Sequence, residues 1–213
     1  PAVSKCFCEA CEDPSDRVFR RAGRAYVLPN GWVRVGLVNP AAEELEVFAK
    51  WPVAYHGTSV GAVVGILYAG SLAKPGDRVV GRGEGMVIRI RDGHIPRPFD
   101  RINRATGKAE RFDPNQIFMS PVLEYCAGEA YADQTEWTDT TTTPPTVYKV
   151  QVAFQLRIRE GSFKVGQETI GATRRGHTID PTGTYSNDTV EWYTKGELGG
   201  IQFTGLLVRL RRV

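Results

Sequence analysis

The clearest periodic signal lies in residues 147–159, V-Y-K-V-Q-V-A-F-Q-L-R-I-R, where apolar and polar positions alternate with the period of two that marks a β-strand. A shorter apolar run, Val53 to His56, predicts a second strand. Val60, Val63, Val64, Leu67 and Tyr68 then recur at helical spacing and predict a helix over 59–69. Gly70 is its expected C-cap, because a helix end favours a residue that adopts the left-handed conformation freely. Upstream, residues 25–37 place a Pro29-Asn30-Gly31 turn between two short apolar runs, which predicts a strand pair or an arm. Ala41 to Lys50 is helix-like in composition, and Trp51-Pro52 closes it.

The remaining stretches are less regular. Residues 1–24 are polar and charged and read as a leader with little regular structure. From Pro75 to Pro114 the chain is rich in Gly, Arg, Asp and Pro, with one expected strand at Met86 to Ile90. A long irregular segment of this kind is a functional loop or a mobile one. Residues 115–121 predict a short strand ending at a proline, 124–132 a helix, and Asp133 to Thr146 a loop. Two further strands are expected near Thr189–Tyr193 and Ile201–Leu210. Strands with a few interspersed helices, no βαβ repeat and no internal repeat argue for an α+β fold.

Composition narrows the class. A chain of 213 residues, 41% apolar and 24% charged, suits one domain or one domain with a small appendage. The net charge of +3 and a pI near 8.8 permit contact with phosphate but fall short of a general nucleic-acid footprint. No window approaches the ~18 uninterrupted apolar residues of a membrane span, and no signal peptide opens the chain. The expectation is an intracellular protein, cytoplasmic or nuclear, with no membrane partner. The start at Pro1 reads as a piece of something longer, whose targeting signals lie outside it.

Four cysteines do not make a disulfide scaffold. Cys6, Cys8 and Cys11 sit together as C-F-C-E-A-C, while Cys126 stands alone. Thiolates at such gaps can converge on one metal, and Zn²⁺ takes four ligands. Three are local; a fourth has to come from Cys126, a histidine or an acidic side chain. A leader with free thiols is the other reading.

The strand at Val53 runs on into W-P-V-A-Y-H-G-T. Histidine is scarce here (His56, His94 and His177), so one beside a glycine at a strand end is informative. Gly57 lets a ligand approach the backbone, and Thr58 adds a hydroxyl that donates and accepts. The same turn fits a helix cap at Thr58 or Ser59. Far downstream, T-V-E-W-Y (189–193) sets Glu191 in a strand among Val190, Trp192 and Tyr193. On a solvated face Glu191 is unremarkable; turned into a cleft it is a desolvated carboxylate.

Together the His56 turn, the Ile117–Tyr131 stretch and the Glu191 strand resemble the ADP-ribosyltransferase superfamily in its diphtheria-toxin and poly(ADP-ribose) polymerase branch. The order and spacing match over residues 51–213, with 1–50 as a Cys-containing leader and N-terminal arm. The segments Y-H-G-T-S, F-D-P-N-Q-I-F-M-S-P with Tyr125 and Tyr131, and V-E-W-Y are most similar to the transferase-type domain at the C-terminus of Neuralized-like proteins. The resemblance implies an ADP-ribosyltransferase-like split β-sandwich of two small sheets with flanking helices, and NAD⁺ as substrate. His56 then bonds the adenosine ribose, the Gly57 backbone holds the nicotinamide carboxamide, and Thr58 assists at the ribose. The position where the branch carries a stacking tyrosine falls on Phe118, which keeps the π face and lacks the hydroxyl. Tyr125 and Tyr131 become the expected stacking partners, one of them facing the cleft, since six positions separate them on a helix. Ser120 reaches the carboxamide. Glu191 matches the catalytic glutamate, whose carboxylate on the ribose hydroxyl stabilises an oxocarbenium-like transition state.

The implied activity is mono-ADP-ribosyl transfer to a macromolecular acceptor, protein or nucleic acid. Three readings stand beside it: NAD⁺ hydrolysis, a catalytically silent NAD- or ADP-ribose-binding module, and a tRNA 2′-phosphotransferase-like enzyme. The last is weakened by the lack of an H-I-H-like motif, although His94 and the arginines of 78–111 are suggestive. Arg78, Arg82, Arg89, Arg91, Arg97, Arg101 and Arg104, with the tail L-V-R-L-R-R (207–212), fit either an acidic partner or solvated surface charge.

Overall fold

A computed structural model of the chain describes residues 3–8, 10–11, 18–79, 86–88, 97–104, 106–167, 169, 190–197 and 199–213. Its first half contains β1 (Lys5–Cys6), β2 (Val18–Arg21), β3 (Arg24–Val27), β4 (Val33–Gly36), α1 (Pro40–Glu44), α2 (Val47–Lys50), β5 (Val53–Thr58) and α3 (Val63–Ala69). There follow β6 (Arg78–Val79), β7 (Met86–Val87), β8 (Phe99–Ile102), β9 (Ala109–Phe112), β10 (Ile117–Met119) and α4 (Leu123–Cys126). The rest are β11 (Thr135–Asp139), β12 (Thr146–Ile158), β13 (Lys164–Gly166), β14 (Glu191–Thr194) and β15 (Ile201–Arg212). The result is α+β, with strands in several small antiparallel sheets and few, short helices.

The thirteen-residue β12 organises the larger, six-stranded sheet. β15 runs along one edge of β12, followed outward by β4 and β1. The other edge is shared: β11 pairs residues 146–150 of β12, and β5 pairs residues 152–157. A second sheet has the order β10-β14-β13. An isolated bridge links the backbones of the two sheets, where Tyr55 and Ser120 exchange both hydrogen bonds, at 2.7 and 3.0 Å.

Alternation along β5 and β12 sends side chains into two apolar clusters, one on each face. Val53, Tyr55 and Ala153 join Trp32, Leu123, Tyr125 and Leu207 on one side. Ala54, Phe154, Leu156 and Ile158 join Met119, Trp192 and Phe203 on the other. Because both faces are covered, Gln151 and Gln155 of β12 are buried too, and each is paired. Gln155 accepts from Arg34 Nε at 2.6 Å, and Gln151 accepts from Arg209 Nη2 at 2.7 Å.

Several expectations hold. Strand β12, the helix ending at Gly70 (φ 63°), and β10, β14 and β15 fall where the pattern put them, although the helix begins with a 3-10 turn at Val60–Ala62. Others change. The helix over 41–50 is broken by Glu46, whose φ of 51° lies in the left-handed region, into α1 and α2. The runs around Pro29-Asn30-Gly31 are strands that do not pair with each other: β3 pairs β2, and β4 enters the main sheet. The polar start of the chain contributes β1 and β2. The irregular 75–114 stretch contains the β8–β9 hairpin, whose facing positions are charge pairs, Asp100 with Arg111 and Arg101 with Glu110. The loop expected at 133–146 begins with β11, an exposed edge strand joined to β12 through the Trp137 and Tyr148 rings.

Candidate functional site

β5 and β10 separate just past the Tyr55–Ser120 bridge, and a cleft opens there. It encloses about 730 Å³ open to solvent, with His56, Gly57, Thr58, Phe118, Tyr125 and Tyr131 in its lining. The ladder that β5 forms with β12 continues through Gly57, opposite Ala153, and Thr58, opposite Val152. On the side facing β10 the next link after the bridge is a side chain: His56 Nδ1 lies 2.8 Å from the Phe118 carbonyl oxygen. A carbonyl only accepts, so Nδ1 carries the proton in that bond, and Nε2 is the acceptor of the neutral ring.

The buried Cys126 thiol occupies the fork. Its sulfur donates to the Tyr55 carbonyl at 3.0 Å. Burial pushes this thiol well above its ordinary range, and it lies outside the group of ligand atoms formed by the three N-terminal cysteines. Gly57 lines the cleft and also has a packing role. A Cβ at Gly57 would stand 1.9 Å from the Cys126 carbonyl oxygen and 3.1 Å from Tyr131 Cβ. Glycine is therefore required for packing against α4. Ser120 is also structural: fully buried, its hydroxyl accepts from the Val122 N–H at 3.0 Å.

The two tyrosines come together instead of facing apart. The helix expected over 124–132 stops at Cys126, and a turn carries Tyr131 back beside Tyr125. Their rings lie 5.2 Å apart and their hydroxyls 2.8 Å apart, and both line the cleft. Gln151 holds this turn by donating to the carbonyls of Ala127 (3.0 Å) and Ala132 (3.2 Å). Phe118 faces Tyr193 across the β10–β14 ladder and packs near Phe112.

Glu191 is fully buried and lies one hydroxyl behind the cleft wall. Tyr125 donates to its Oε1 at 2.6 Å, and Thr169 donates to its Oε2. Since the Tyr125 proton goes to the carboxylate, the bond between the tyrosines is donated by Tyr131. The three form a relay, Tyr131 to Tyr125 to Glu191. Desolvation, then the neighbouring carboxylate, push Tyr125 well above the ordinary tyrosine range, so it stays a donor. Gln151 and Thr169 carry none of the sequence signals that mark chemistry, and Cys126 stood out only as a candidate metal ligand; contacts distant in the chain reveal the roles of all three.

At the far edge of the main sheet, the sulfurs of Cys6, Cys8 and Cys11 lie within 4.8 Å of one another, close enough to hold a metal ion. Hydrogen bonds from the other two thiols and from the Ala10 N–H lower the Cys8 thiol, while Cys11 is raised to about 11 by its bonds to Cys8 and Cys6. The basic positions are partly structural. Arg101 bonds Glu110 and covers the Phe112 ring, and Arg209 is buried between Glu124, Gln151 and the Trp32 ring. Arg82, Arg89, Arg91, His94 and His177 lie outside the described residues. No helix among the described residues is long and apolar enough to cross a membrane. No family model matches the chain, and no solved structure matches it.

Proposed function

We propose that the cleft between β5 and β10 takes NAD⁺ and that the protein transfers ADP-ribose to a macromolecule. The observation that carries this reading is the convergence of His56, Phe118, Tyr125 and Tyr131 on one cleft, with the buried Glu191 one hydrogen bond behind it. The implied arrangement is the split β-sandwich of the ADP-ribosyltransferases, entered where the two sheets part. Aromatic rings offer a flat, apolar wall for a nicotinamide ring. His56 Nε2 accepts from a ribose hydroxyl while Nδ1 stays on Phe118. Glu191 accepts from the neighbouring hydroxyl once Tyr125 turns aside, and its charge stabilises the oxocarbenium character that builds as the nicotinamide bond breaks. Gly57 lines the cleft, where its backbone would hold the nicotinamide carboxamide, while the Ser120 hydroxyl is engaged by the Val122 N–H.

Incubation with NAD⁺ labelled in the adenylate moiety tests this. Label on protein or nucleic acid is the expected result, and free ADP-ribose alone identifies a glycohydrolase. Glu191→Gln should cut transfer by about 10²–10³-fold with binding retained; wild-type turnover in that variant removes Glu191 from the mechanism. A second reading has its own support: both carboxylate oxygens are already bonded, as in a silent nucleotide-binding module. Binding of NAD⁺ without turnover would favour it.

A further inference from the structure

We infer that Cys6, Cys8 and Cys11 form a three-thiolate zinc site built onto the edge of the main sheet. Tetrahedral zinc holds sulfur at roughly 2.3 Å, which sets its ligands about 3.8 Å apart. The Cys8 and Cys11 sulfurs are 3.5 Å apart and all three lie within 4.8 Å, so movements of about an ångström close the site.

The scaffold around the sulfurs is ordered by the fold. Cys6 stands on β1 opposite Val33 of β4. Phe7 is buried, its N–H bonded to the Trp32 carbonyl at 2.9 Å and its carbonyl accepting from the Gly31 N–H at 2.7 Å. The chain then turns back, with the Cys11 N–H donating to the Cys8 carbonyl at 2.8 Å.

The donor set selects the ion. Three soft thiolates disfavour Mg²⁺, Ca²⁺ and Mn²⁺, which prefer oxygen, and suit zinc. Zinc on three thiolates keeps a fourth position for water or an external ligand. Each Zn–S bond that forms breaks one S–H bond and sends its proton to the buffer, so loading releases protons. Bound metal pins the turn after β1 to β4, at an edge that otherwise pairs through two residues.

The test uses the whole chain, reduced, loaded with zinc sulfate and passed over a desalting column. Elemental mass spectrometry should find about one zinc per chain. Cys8→Ser should lower this about tenfold or more, with an unchanged far-ultraviolet circular dichroism spectrum. Cobalt(II) in place of zinc should give thiolate-to-cobalt charge-transfer absorption on the unmutated chain, a readout independent of any variant's folding. Zinc-free protein after loading, full zinc retention in Cys8→Ser, or a cobalt complex without thiolate absorption would each overturn the site. None of these outcomes bears on the nucleotide reading.

Discussion

The two edges of β5 behave differently. Toward β12 the strand is closed: six consecutive residues, Val53 to Thr58, are in register with Arg157 to Val152. Toward β10 it is joined by one bridge, then by the Cys126 thiol in the fork and the His56 imidazole on the Phe118 carbonyl. A continuous ladder satisfies every backbone group and leaves no room for a ligand. Where the ladder stops, side chains take over the satisfying, and those side chains line the cleft. The same six residues thus supply rigidity on one edge and part of the cleft wall on the other.

Breaking the closed and packed part should have the largest effect. Gly57→Ala drives a methyl into the Cys126 carbonyl oxygen, a backbone atom that cannot rotate away. The expected cost is about 3 kcal/mol or more, read from urea unfolding or from loss of soluble protein. Normal stability with weakened nucleotide binding would overturn the packing role of Gly57. On the open edge, Tyr125→Phe leaves Glu191 Oε1 without its donor inside the protein, which should lower stability by about 1–3 kcal/mol. His56→Phe keeps an aromatic ring and removes one half-buried hydrogen bond, so urea unfolding should show a loss of about 1 kcal/mol.

A pH titration samples both edges at once. Tyr55, whose hydroxyl bonds the Val27 carbonyl at 2.8 Å, and Tyr125 are each raised above the ordinary value of 10.0, chiefly by burial. Above that pH the unfolded chain releases protons that the folded chain keeps, so stability should be whole below pH 10 and fall progressively as pH rises beyond it. Thermal unfolding across that range checks the sign, and Tyr125→Phe should flatten the decline. The smallest effect belongs to the β8–β9 hairpin, away from either edge. Arg111→Ala removes an exposed pair with Asp100 and should change stability by less than about 0.5 kcal/mol, measured by the same unfolding experiment.

The parts of the fold readable from residue order share a physical origin. β12 was visible because alternation is a property of neighbouring residues, and the end of α3 because Gly70 caps a helix locally. The β8–β9 hairpin was hidden, since its strands are held by Asp, Arg and Glu across the pair and carry little apolar periodicity. Likewise α4 was drawn too long. Residues 124–132 suit a helix, but the Ala127 and Ala132 carbonyls are claimed by Gln151 of a distant strand, and the chain turns between them. At the site, His56, Phe118, Tyr125, Tyr131 and Glu191 stood out as unusual residues in order along the chain. Their partners Gln151 and Thr169 did not, and Cys126 did so only as a candidate metal ligand, because a buried thiol, amide or hydroxyl looks ordinary until its contact is known.

What the sequence alone determined is the inventory: an α+β chain, its long central strand, three clustered cysteines, and a histidine turn followed far later by a strand glutamate. Tertiary structure decided what each member does. It covered both faces of β12, so that its two glutamines became buried braces. It set Cys126 against Gly57, making that glycine a packing requirement, and folded Tyr131 onto Tyr125 so that Glu191 ends a hydrogen-bond relay. The physical reason is range: periodicity and capping act between residues a few positions apart, whereas burial and hydrogen-bond partners depend on segments that meet only when the sheets assemble.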